Sequence, residues 1–573
     1  MFPYRQRWTV IDQTLTCFTS PNFHSMAIAT LKFACKPNLL LRPAPFQCLR
    51  KVVPKSLPRV EVEERRGSHR EQDKGTSEEL ISENNNSKVR AWKKLNSKEI
   101  GLRNSMIAIP TKKVLNVLKK KGHDVYLVGG CVRDLILKQT PKDFDIITSA
   151  DLKEVRKTFS LCEIVGKRFP ICHVHMDGTI VEVSSFNTAR CKSSMHFIYD
   201  DIEAPHDCDK EDYLRWRNCL RRDFTINGLM FDPYARIVYD YMGGMEDIVK
   251  AKVRTVVPAA TSFREDCARI LRAIRIAARL GFSISRETAQ SVKNLSYSVL
   301  RLDRSRLLME INYMLAYGSG EASLRLLWRF GLLDILLPFQ AAYFVRGGFR
   351  RRDKRTNLLL SFFSNVDKLL APNRPCHSSL WLITTSVIKA RLIRNLCFQA
   401  LSDKPRDSSV VAAFSLALHN GGNLSEAISI ARRINKAHDA RFPELLDPSG
   451  LDEEDLEAEI LDLAESVKGS LLQMKDRHFV SGAMADYPQA PHSDLVLIPI
   501  PMYLRALNFF DCVRVSASKN FLSKQGRQID YESLARGDLL EVRHVFARIV
   551  FDTVYPLHPG KDQLKKSTGF SRG

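Results

Sequence analysis

The stretch from Tyr126 to Thr148, YLVGGCVRDLILKQTPKDFDIIT, constrains the fold more than any other part of the chain. An apolar run ends in two glycines, a short helical pattern follows, and a second apolar run begins with two aspartates one residue apart. This order predicts a strand, a tight turn, a helix and a second strand. Because strand side chains alternate, we expect Asp143 and Asp145 on one face of the second strand and Phe144 on the other.

The residue types in this stretch fit a triphosphate and a metal ion. Two carboxylates on one face can hold Mg²⁺, which prefers oxygen ligands and bridges substrate phosphates, although a D-x-D pair also occurs at solvated strand ends. Gly129 and Gly130 lack a Cβ and leave the backbone open to phosphate at a helix N-terminus, and Arg133 can fork onto phosphate oxygens. The alternative is a tight strand–helix turn with a surface arginine. No G-x-x-x-x-G-K-[ST] motif occurs, which excludes a Walker-type site.

Two further segments carry candidates for the same site. Glu182 in TIVEVSSF is flanked by valines on a predicted central strand, and we expect it in the site rather than on a solvated face. In RRDFTINGL, Arg222 suits a triphosphate, Asp223 a ribose hydroxyl and Asn227 a phosphate or sugar oxygen.

The segment FREDCARILRAIRIAARLGF has the pattern of one amphipathic helix. At about 100° per residue, its apolar side chains share one face and its arginines lie opposite. Such a row is typical of a solvated helix face, but Asp266 and Arg269 also offer an acceptor and a donor to a nucleic-acid base. The row consists of Arg269, Arg272, Arg275 and Arg279.

Composition points to a polyanionic partner. Lys and Arg number 87 against 64 Asp and Glu, a formal net charge of +23, which favours RNA or DNA. The 13 cysteines form no C-x-x-C pair, which excludes a zinc ribbon and a dithiol motif. No apolar run is long enough to predict a membrane-spanning helix.

Composition shifts also divide the chain. The first 60 residues hold nine Lys and Arg but a single acidic residue, which is typical of an organellar transit peptide, with a disordered basic arm as the alternative. We expect import into an organelle, with a chloroplast favoured over a mitochondrion. The fold class is expected to be α+β. The predicted parts are a transit peptide over 1–60, a disordered charged linker over 61–104, an α/β head over 105–257, a helical neck over 258–345, a helical body and tail over 346–520, and a C-terminal extension with a basic end over 521–573.

Taken together, GGCVRD, DFD, RRDFTIN, the glycine turn of DYMGGMEDI and EDCAR resemble the class II nucleotidyltransferase superfamily of bacterial-type poly(A) polymerases and CCA-adding enzymes. The resemblance covers roughly residues 105–345. It implies a palm-like catalytic head with a helical neck, body and tail, and template-free transfer of nucleotides to RNA 3′ ends, with Mg²⁺ as cofactor. It assigns the metal to Asp143 and Asp145, the triphosphate to Gly130 and Arg133, ribose and phosphate to Arg222, Asp223 and Asn227, and the base to Asp266 and Arg269 with support from Arg272 and Arg275.

A second stretch, IVGKRFPICHV, is similar to the signature that marks bacterial poly(A) polymerases, whereas CCA-adding enzymes generally lack its Lys-Arg-Phe core. The alternative is a strand hairpin with two exposed basic residues. His173 and His175 alternate on one face of this strand, as a metal pair would, but packing and surface histidines share that pattern. The core of the signature is Gly166, Lys167, Arg168 and Phe169.

The sequence therefore favours an adenylyltransferase that uses ATP to extend mRNA or tRNA 3′ ends. CCA addition to tRNA remains open, and a catalytically inactive RNA-binding protein on the same scaffold is a third reading. Both aspartates are present, which argues against the third. An HD-type phosphohydrolase would need a His-Asp metal doublet; His206-Asp207 lies in an acidic loop, and His438-Asp439 has no partner histidines nearby.

Overall fold

A computed structural model describes residues 92–166, 170–186, 208–397, 408–433, 452–475, 499–514, 524, 526 and 528–554. Within these residues a mixed sheet of eight strands is followed by helices, which confirms the predicted α+β class. The predicted transit peptide and most of the predicted linker lie outside the described residues. No helix in the described part of the chain has the length and apolar character needed to cross a membrane.

The sheet of the head has the order β1-β8-β7-β2-β3-β6-β5-β4. Its strands are β1 (Lys93–Asn96), β2 (Val125–Val128), β3 (Asp145–Thr148), β4 (Cys162–Val165), β5 (Ile171–Met176), β6 (Thr179–Ser185), β7 (Leu229–Asp232) and β8 (Ile237–Asp240). Strands β3 and β6 pair in parallel, and the other described neighbours in this sheet pair antiparallel. Two short strands, β9 (Lys252–Val253) and β10 (Ser283–Ile284), pair separately.

The hairpin between β5 and β6 turns at Asp177 and Gly178. These two residues have φ angles of 51° and 74°. A two-residue turn with both central residues in the left-handed region matches the twist of the flanking strands, and Asp-Gly is a favoured pair for it. The turn therefore fixes the register in which Glu182 faces His173.

Helices cover the sheet on both faces. Those of the head are α1 (Ile109–Lys120), α2 (Gly130–Ile136), α3 (Leu152–Thr158), α4 (Lys210–Leu220) and α5 (Gly244–Val249). Helix α4 packs over the face that carries Tyr126 and Tyr239, through its buried Trp216. The opposite face packs on α1, α2 and α3 around Val114, Val132 and Val155.

The remaining helices form a second core. They are α6 (Ala259–Glu265), α7 (Ala268–Leu280), α8 (Arg286–Asn294), α9 (Arg304–Leu315), α10 (Gly320–Arg329), α11 (Leu333–Leu336), α12 (Pro338–Arg346), α13 (Leu358–Leu369), α14 (Ser378–Cys397), α15 (Ser408–His419), α16 (Leu424–Arg433), α17 (Glu453–Lys475), α18 (Ile500–Arg514), α19 (Tyr531–Arg536) and α20 (Leu539–Val554). Helix α7 belongs to both cores: Ala273 and Ala277 pack into the head, whereas Leu271 and Ile274 pack among the helices. The head and the neck therefore share one buried helix.

Strand β1 lies inside the segment that the sequence predicted as a linker. It pairs antiparallel with β8. Lys94 Nζ forms an ion pair of 2.7 Å with Asp212 of α4, and the Trp92 ring packs edge-on against Tyr241 at 4.9 Å. The linker boundary at residue 104 was wrong because a polar edge strand, KKLN, shows no alternation of apolar residues.

Helices α19 and α20 lie inside the predicted C-terminal extension. Phe546 and Val550 of α20 are buried in the helical core. Asn365 of α13 donates a hydrogen bond of 2.8 Å to the hydroxyl of Thr553. The extension boundary at 521 was therefore wrong, because residues 539–554 complete the core of the body.

Candidate active site

The glycine turn after β2 is a point of close approach. Gly129 has φ of 80°, and α2 begins at the next residue. A Cβ at this position would lie 2.7 Å from Arg222 Nη1 and 3.4 Å from Asp145 Oδ2. The missing side chain therefore lets a guanidinium and a carboxylate meet at the turn. Glycine is required here both by the positive φ angle and by the lack of space for a Cβ.

Asp145 and Glu182 face each other across the parallel pair of β3 and β6. They are register partners, so their side chains project from the same face of the sheet. Asp145 is the first residue of β3, and Glu182 keeps 48% of its side chain exposed. The structure thus places both acids at one end of β3, beside the Gly129 turn.

Asp143 does not share the strand geometry predicted for it. β3 begins at Asp145, because its partner β2 ends at Val128 and turns away at Gly129. Asp143 lies in the bend before the strand, with 66% of its side chain exposed. The prediction that alternation along one strand sets both aspartates on one face was wrong, and a loop positions Asp143 instead.

Burial raises the pKa of Asp145 to about 6, with Arg222 opposing the shift and the carboxylates of Glu182 and Asp143 adding to it. The charges of two more exposed acids therefore act on one largely desolvated carboxylate, that of Asp145. Within the described residues, no group of three His, Cys, Asp or Glu side chains forms a ready metal cage. Mg²⁺ needs only one or two carboxylates, because water and substrate phosphates complete its shell, so the donor set fits this ion.

Arg222 is the cation closest to the glycine turn. Its Nε is buried and lacks a hydrogen-bond partner among the described residues. The Nη1 of the same guanidinium borders the space at Gly129, where a phosphate oxygen could accept from it. The arrangement suits a phosphate group at the turn.

Arg133 is not the surface arginine that the alternative reading required, nor is it open to phosphate. Its side chain is 6% exposed. Its Nε and Nη2 donate to Asp134 Oδ1 at 2.9 and 2.6 Å, and its Nη1 donates to Asn227 Oδ1 at 2.6 Å. In this structure Arg133 therefore links α2 to the segment that holds Asn227.

The same network continues to the neck, and helix α7 joins its two ends. Asn227 Nδ2 donates to Asp223 Oδ1 at 2.9 Å, and Arg272 Nη1 donates to Asp223 Oδ2 at 3.1 Å. Arg279, two turns along α7, reaches Asp134 Oδ2 at 3.3 Å. We call this closed circuit the head–neck ring; its members are Arg133, Asp134, Asn227, Asp223, Arg272 and Arg279.

Sequence reasoning missed Asp134 as a member of this ring. The signal was the adjacent Arg-Asp pair in GGCVRD, which was read only for its arginine. Asp134 is 3% exposed and serves as the counter-ion between two arginines. A buried carboxylate that pairs with two guanidinium groups is a structural element in its own right.

The segment predicted as one arginine-rich helix is two helices. Helix α6 ends at Glu265, Asp266 has φ of −140°, and the Asp266 carboxylate accepts from the backbone amide of Ala268 at 3.1 Å. A short acidic side chain that caps its own following turn competes with helix continuation. The single-helix prediction was therefore wrong at Asp266.

The arginine row is not a solvated face. Arg269 is 8% exposed and donates to Ser262 Oγ at 3.0 Å and to Glu265 Oε2 at 2.8 Å. Arg275 donates to Glu310 Oε2 at 2.9 Å. Arg269 is thus directed toward Glu265 in this structure.

Part of the second sequence signature lies outside the described residues, namely Lys167, Arg168 and Phe169. Gly166 ends β4 with φ of 90°. His173 lies 3.9 Å from both Glu163 and Glu182, and His175 lies 3.8 Å from Glu163. These histidines extend the row of polar side chains outward from Asp145.

Comparison with known families divides the chain in the same way as its structure. Residues 125–254 match the family described as poly A polymerase head domain. Residues 281–344 match the family described as probable RNA and SrmB-binding site of polymerase A. The first match covers strands β2 to β8 and the candidate site, and the second begins directly after α7.

Curated relatives fall into two groups. The chain is 36% identical over 247 residues to poly(A) polymerase I of Escherichia coli O6:H1, covering 41% of this chain and 51% of that protein. It is 34% identical over 223 residues to the CCA-adding enzyme of Geobacillus thermodenitrificans, covering 39% and 53%. The chain thus spans about half the length of the curated relatives it matches. A solved structure, the Bacillus stearothermophilus CCA-adding enzyme with CTP, aligns with a TM-score of 0.39 and 23% identity over 70% of this chain and 94% of that one.

Proposed function

We propose that the protein is a template-independent nucleotidyltransferase that extends RNA 3′ ends, because residues 125–254 match the poly A polymerase head-domain family. The observation that carries the proposal is the meeting of Asp145, Glu182 and Arg222 at the Gly129 turn. A carboxylate pair beside a glycine turn with an unsatisfied arginine donor suits a metal-bound triphosphate.

The residues of the chain divide the chemical task. Bound at Asp143 and Asp145, Mg²⁺ would neutralise triphosphate charge and lower the pKa of the attacking 3′-hydroxyl. Arg222 holds a phosphate oxygen, and Gly129 leaves room for it. The hydroxyl oxygen forms a bond to the α-phosphorus in line, and the bond to pyrophosphate breaks. Catalysis in this scheme is positioning and charge neutralisation.

RNA binding by the neck and body is part of the proposal. The family match over residues 281–344 supports it. From Arg346, the last residue of α12, the chain reads RGGFRRRDKR. The loop after the helix is exposed and contacts α10: Trp328 Nε1 donates to the Arg350 carbonyl at 3.0 Å, and the Arg351 guanidinium lies 3.9 Å from the Trp328 ring centre. A preorganised arginine loop fits the phosphates of an RNA strand.

Within this class we propose addition of AMP from ATP rather than addition of CCA. The stretch IVGKRFPICHV supports this choice, since it is similar to the signature of bacterial poly(A) polymerases. We also propose an organellar location, with a chloroplast favoured, on the composition of the first 60 residues.

The test is nucleotide incorporation by the full chain with Mg²⁺. An RNA primer and a tRNA without its CCA end are each offered ATP, CTP, GTP and UTP separately and together. Long tails from ATP alone are expected on the primer. Incorporation of two C and one A that then stops would overturn the adenylate reading in favour of CCA addition.

Variants separate the enzyme from a scaffold that only binds RNA. Asp143→Ala and Asp145→Ala are each expected to lower turnover at least about a hundredfold, because several kcal/mol of charge stabilisation are lost. Asp177→Asn, an exposed aspartate of the same domain, is the control and should keep its turnover. RNA binding without any Mg²⁺-dependent incorporation by the unmodified chain would show that the protein is not an enzyme of this class.

A further inference from the structure

The loop that carries Asp143 is fastened to the neck through its neighbour, Lys142. Lys142 Nζ lies 3.6 Å from Asp143 Oδ2. The same ammonium lies 5.5 Å from the ring centre of Tyr313 and 5.7 Å from that of Tyr317. An ammonium within about 6 Å of an aromatic ring face is attracted to it, so the contact joins head and neck beside a proposed metal ligand.

The two tyrosines are themselves held from the neck side. Their ring centres are 5.0 Å apart. The Arg275 guanidinium lies 5.2 Å from the Tyr313 ring centre, and its Nε donates to Glu310, which is 1% exposed. Because the buried Glu310 fixes Arg275, and Arg275 contacts the Tyr313 ring, this ring has a defined position for its contact with Lys142.

Asp143 needs such support because its backbone has none from the sheet. Asp145 is held in the β2–β3–β6 ladder, whereas Asp143 lies before the first ladder residue. Electrostatics agree with a position near the neck: burial raises the pKa of Tyr317, and the Asp143 carboxylate adds to that rise. A metal ligand on an unsupported loop would bind its ion weakly, since ordering the loop would oppose binding.

We propose that Tyr313 and Tyr317 are positioning residues that hold Asp143, through Lys142, at the metal-binding end of the sheet. This inference rests on the proposed function for the role of Asp143. It gives the neck a part in metal binding, in addition to its proposed contact with RNA.

A competing role for the tyrosines is a stacking platform for RNA bases. Both rings already lie close to a cation in the structure, with Lys142 over the pair and Arg275 over Tyr313. A base that stacked on the ring faces near Lys142 would have to displace that ammonium. The geometry therefore favours positioning, and the experiment includes RNA affinity so that the other role would be seen.

The test is Mn²⁺ binding to the full chain without nucleotide or RNA, measured from the electron paramagnetic resonance signal of free Mn²⁺. Lys142→Met and the double variant Tyr313→Leu/Tyr317→Leu are expected to weaken Mn²⁺ binding by about tenfold, the factor expected from losing two cation–π contacts. Lys142→Arg and Tyr313→Phe/Tyr317→Phe are the matched controls, since they keep the cation and the rings, and should bind within about twofold of the unmodified chain. Asp143→Ala sets the scale for complete loss of the ligand.

Unchanged Mn²⁺ affinity in Lys142→Met would overturn the proposal even if the double leucine variant failed to fold, because Lys142 is 41% exposed and its loss leaves the core intact. Loss of RNA affinity with normal Mn²⁺ binding in the leucine variant would assign the rings to base stacking instead. The readout needs no catalysis. Tyrosine-dependent Mn²⁺ binding in a chain that incorporates no nucleotide would therefore support the positioning role and reject the proposed function.

Discussion

The head–neck ring predicts that a single uncharged substitution destabilises the protein sharply. Asp134→Asn keeps the side-chain volume but removes the counter-ion of the buried Arg133 and the partly buried Arg279. The oxygen of the new amide could still accept from Arg133, but it carries no negative charge, and its NH2 group would replace the oxygen that accepts from Arg279. Burial and the Arg133 charge already lower the pKa of Arg279, and Asp134 opposes that effect, so the two guanidinium groups would repel each other once Asp134 is neutral.

Removing one partner from a buried ion pair costs about 3–5 kcal/mol. For a domain of this size that corresponds to a fall in melting temperature on the order of 10 °C. The measurement is thermal unfolding followed by circular dichroism, with urea unfolding as a second probe. Asp177→Asn is the control, because Asp177 pairs with Lys113 at 2.7 Å but both side chains are about half exposed, at 42% and 52%.

The control should cost less than about 1 kcal/mol, as exposed ion pairs do. Equal and small effects in the two variants would refute the reasoning, because they would show that the ring is as well solvated as a surface pair. Arg279→Met in the Asp134→Asn background should restore part of the loss, since it removes the charge that was left without a counter-ion.

Two further predictions concern the glycine turn and the edge strand. Gly129→Ala should lower activity and reduce the free energy of unfolding by about 1–3 kcal/mol, because φ is 80° and the new Cβ would lie 2.7 Å from Arg222 Nη1. Gly178→Ala is the control for backbone strain alone, because Gly178 also has a positive φ angle but has open space around it. For Asp212, the hydrogen bond from Lys94 and those from Tyr241 and Arg215 outweigh burial and hold its pKa well below the ordinary 3.8. Its carboxylate therefore contributes stability that is fully present above about pH 4 and is lost as pH falls toward the lower folded-state value. Unfolding measured from pH 7 down to pH 3 should show this loss in the unmodified chain and a flatter profile in Asp212→Asn, and parallel profiles would contradict the assignment.

Local patterns predicted the parts of the fold that depend on local chemistry. The Asp177-Gly178 hairpin and the strand–glycine–helix unit at Gly129 both follow from backbone preferences that the residues carry with them. The start of β3 could not be predicted in this way, because it depends on where the neighbouring β2 ends. The edge strand at Lys93–Asn96 depends in the same way on a partner, β8, more than a hundred residues away.

The candidate site shows the same division. Sequence order brought together the glycine turn, Asp145 and Glu182, because strand alternation and a βα turn are local rules. It could not show that Arg133 is buried or that Arg269 turns toward Glu265, since arginine partners are set by tertiary packing. Asp134 and Glu310 also pair with arginines of α7, but Asp134 was marked only by the adjacent Arg133, and Glu310 lies between Met309 and Ile311 in no motif.

The partners of α7 set a condition on any nucleotide that enters this site. Asp223 and Arg272, which the family resemblance assigns to the sugar and to support of the base, satisfy each other at 3.1 Å in the structure. Arg272 is largely desolvated, and the Asp223 carboxylate opposes the effect of that burial on its pKa. A nucleotide that bound either group would have to supply the lost partner, because leaving a buried charge unpaired costs more than the contact gains.

A ribose hydroxyl can donate to Asp223 while a base oxygen or nitrogen accepts from Arg272, so a complete nucleoside meets the condition. Free triphosphate offers no donor at neutral pH and cannot replace Arg272 at Asp223. Binding at Asp223 and Arg272 of the head–neck ring therefore requires the nucleoside. Binding at the glycine turn and Arg222 requires only the phosphates.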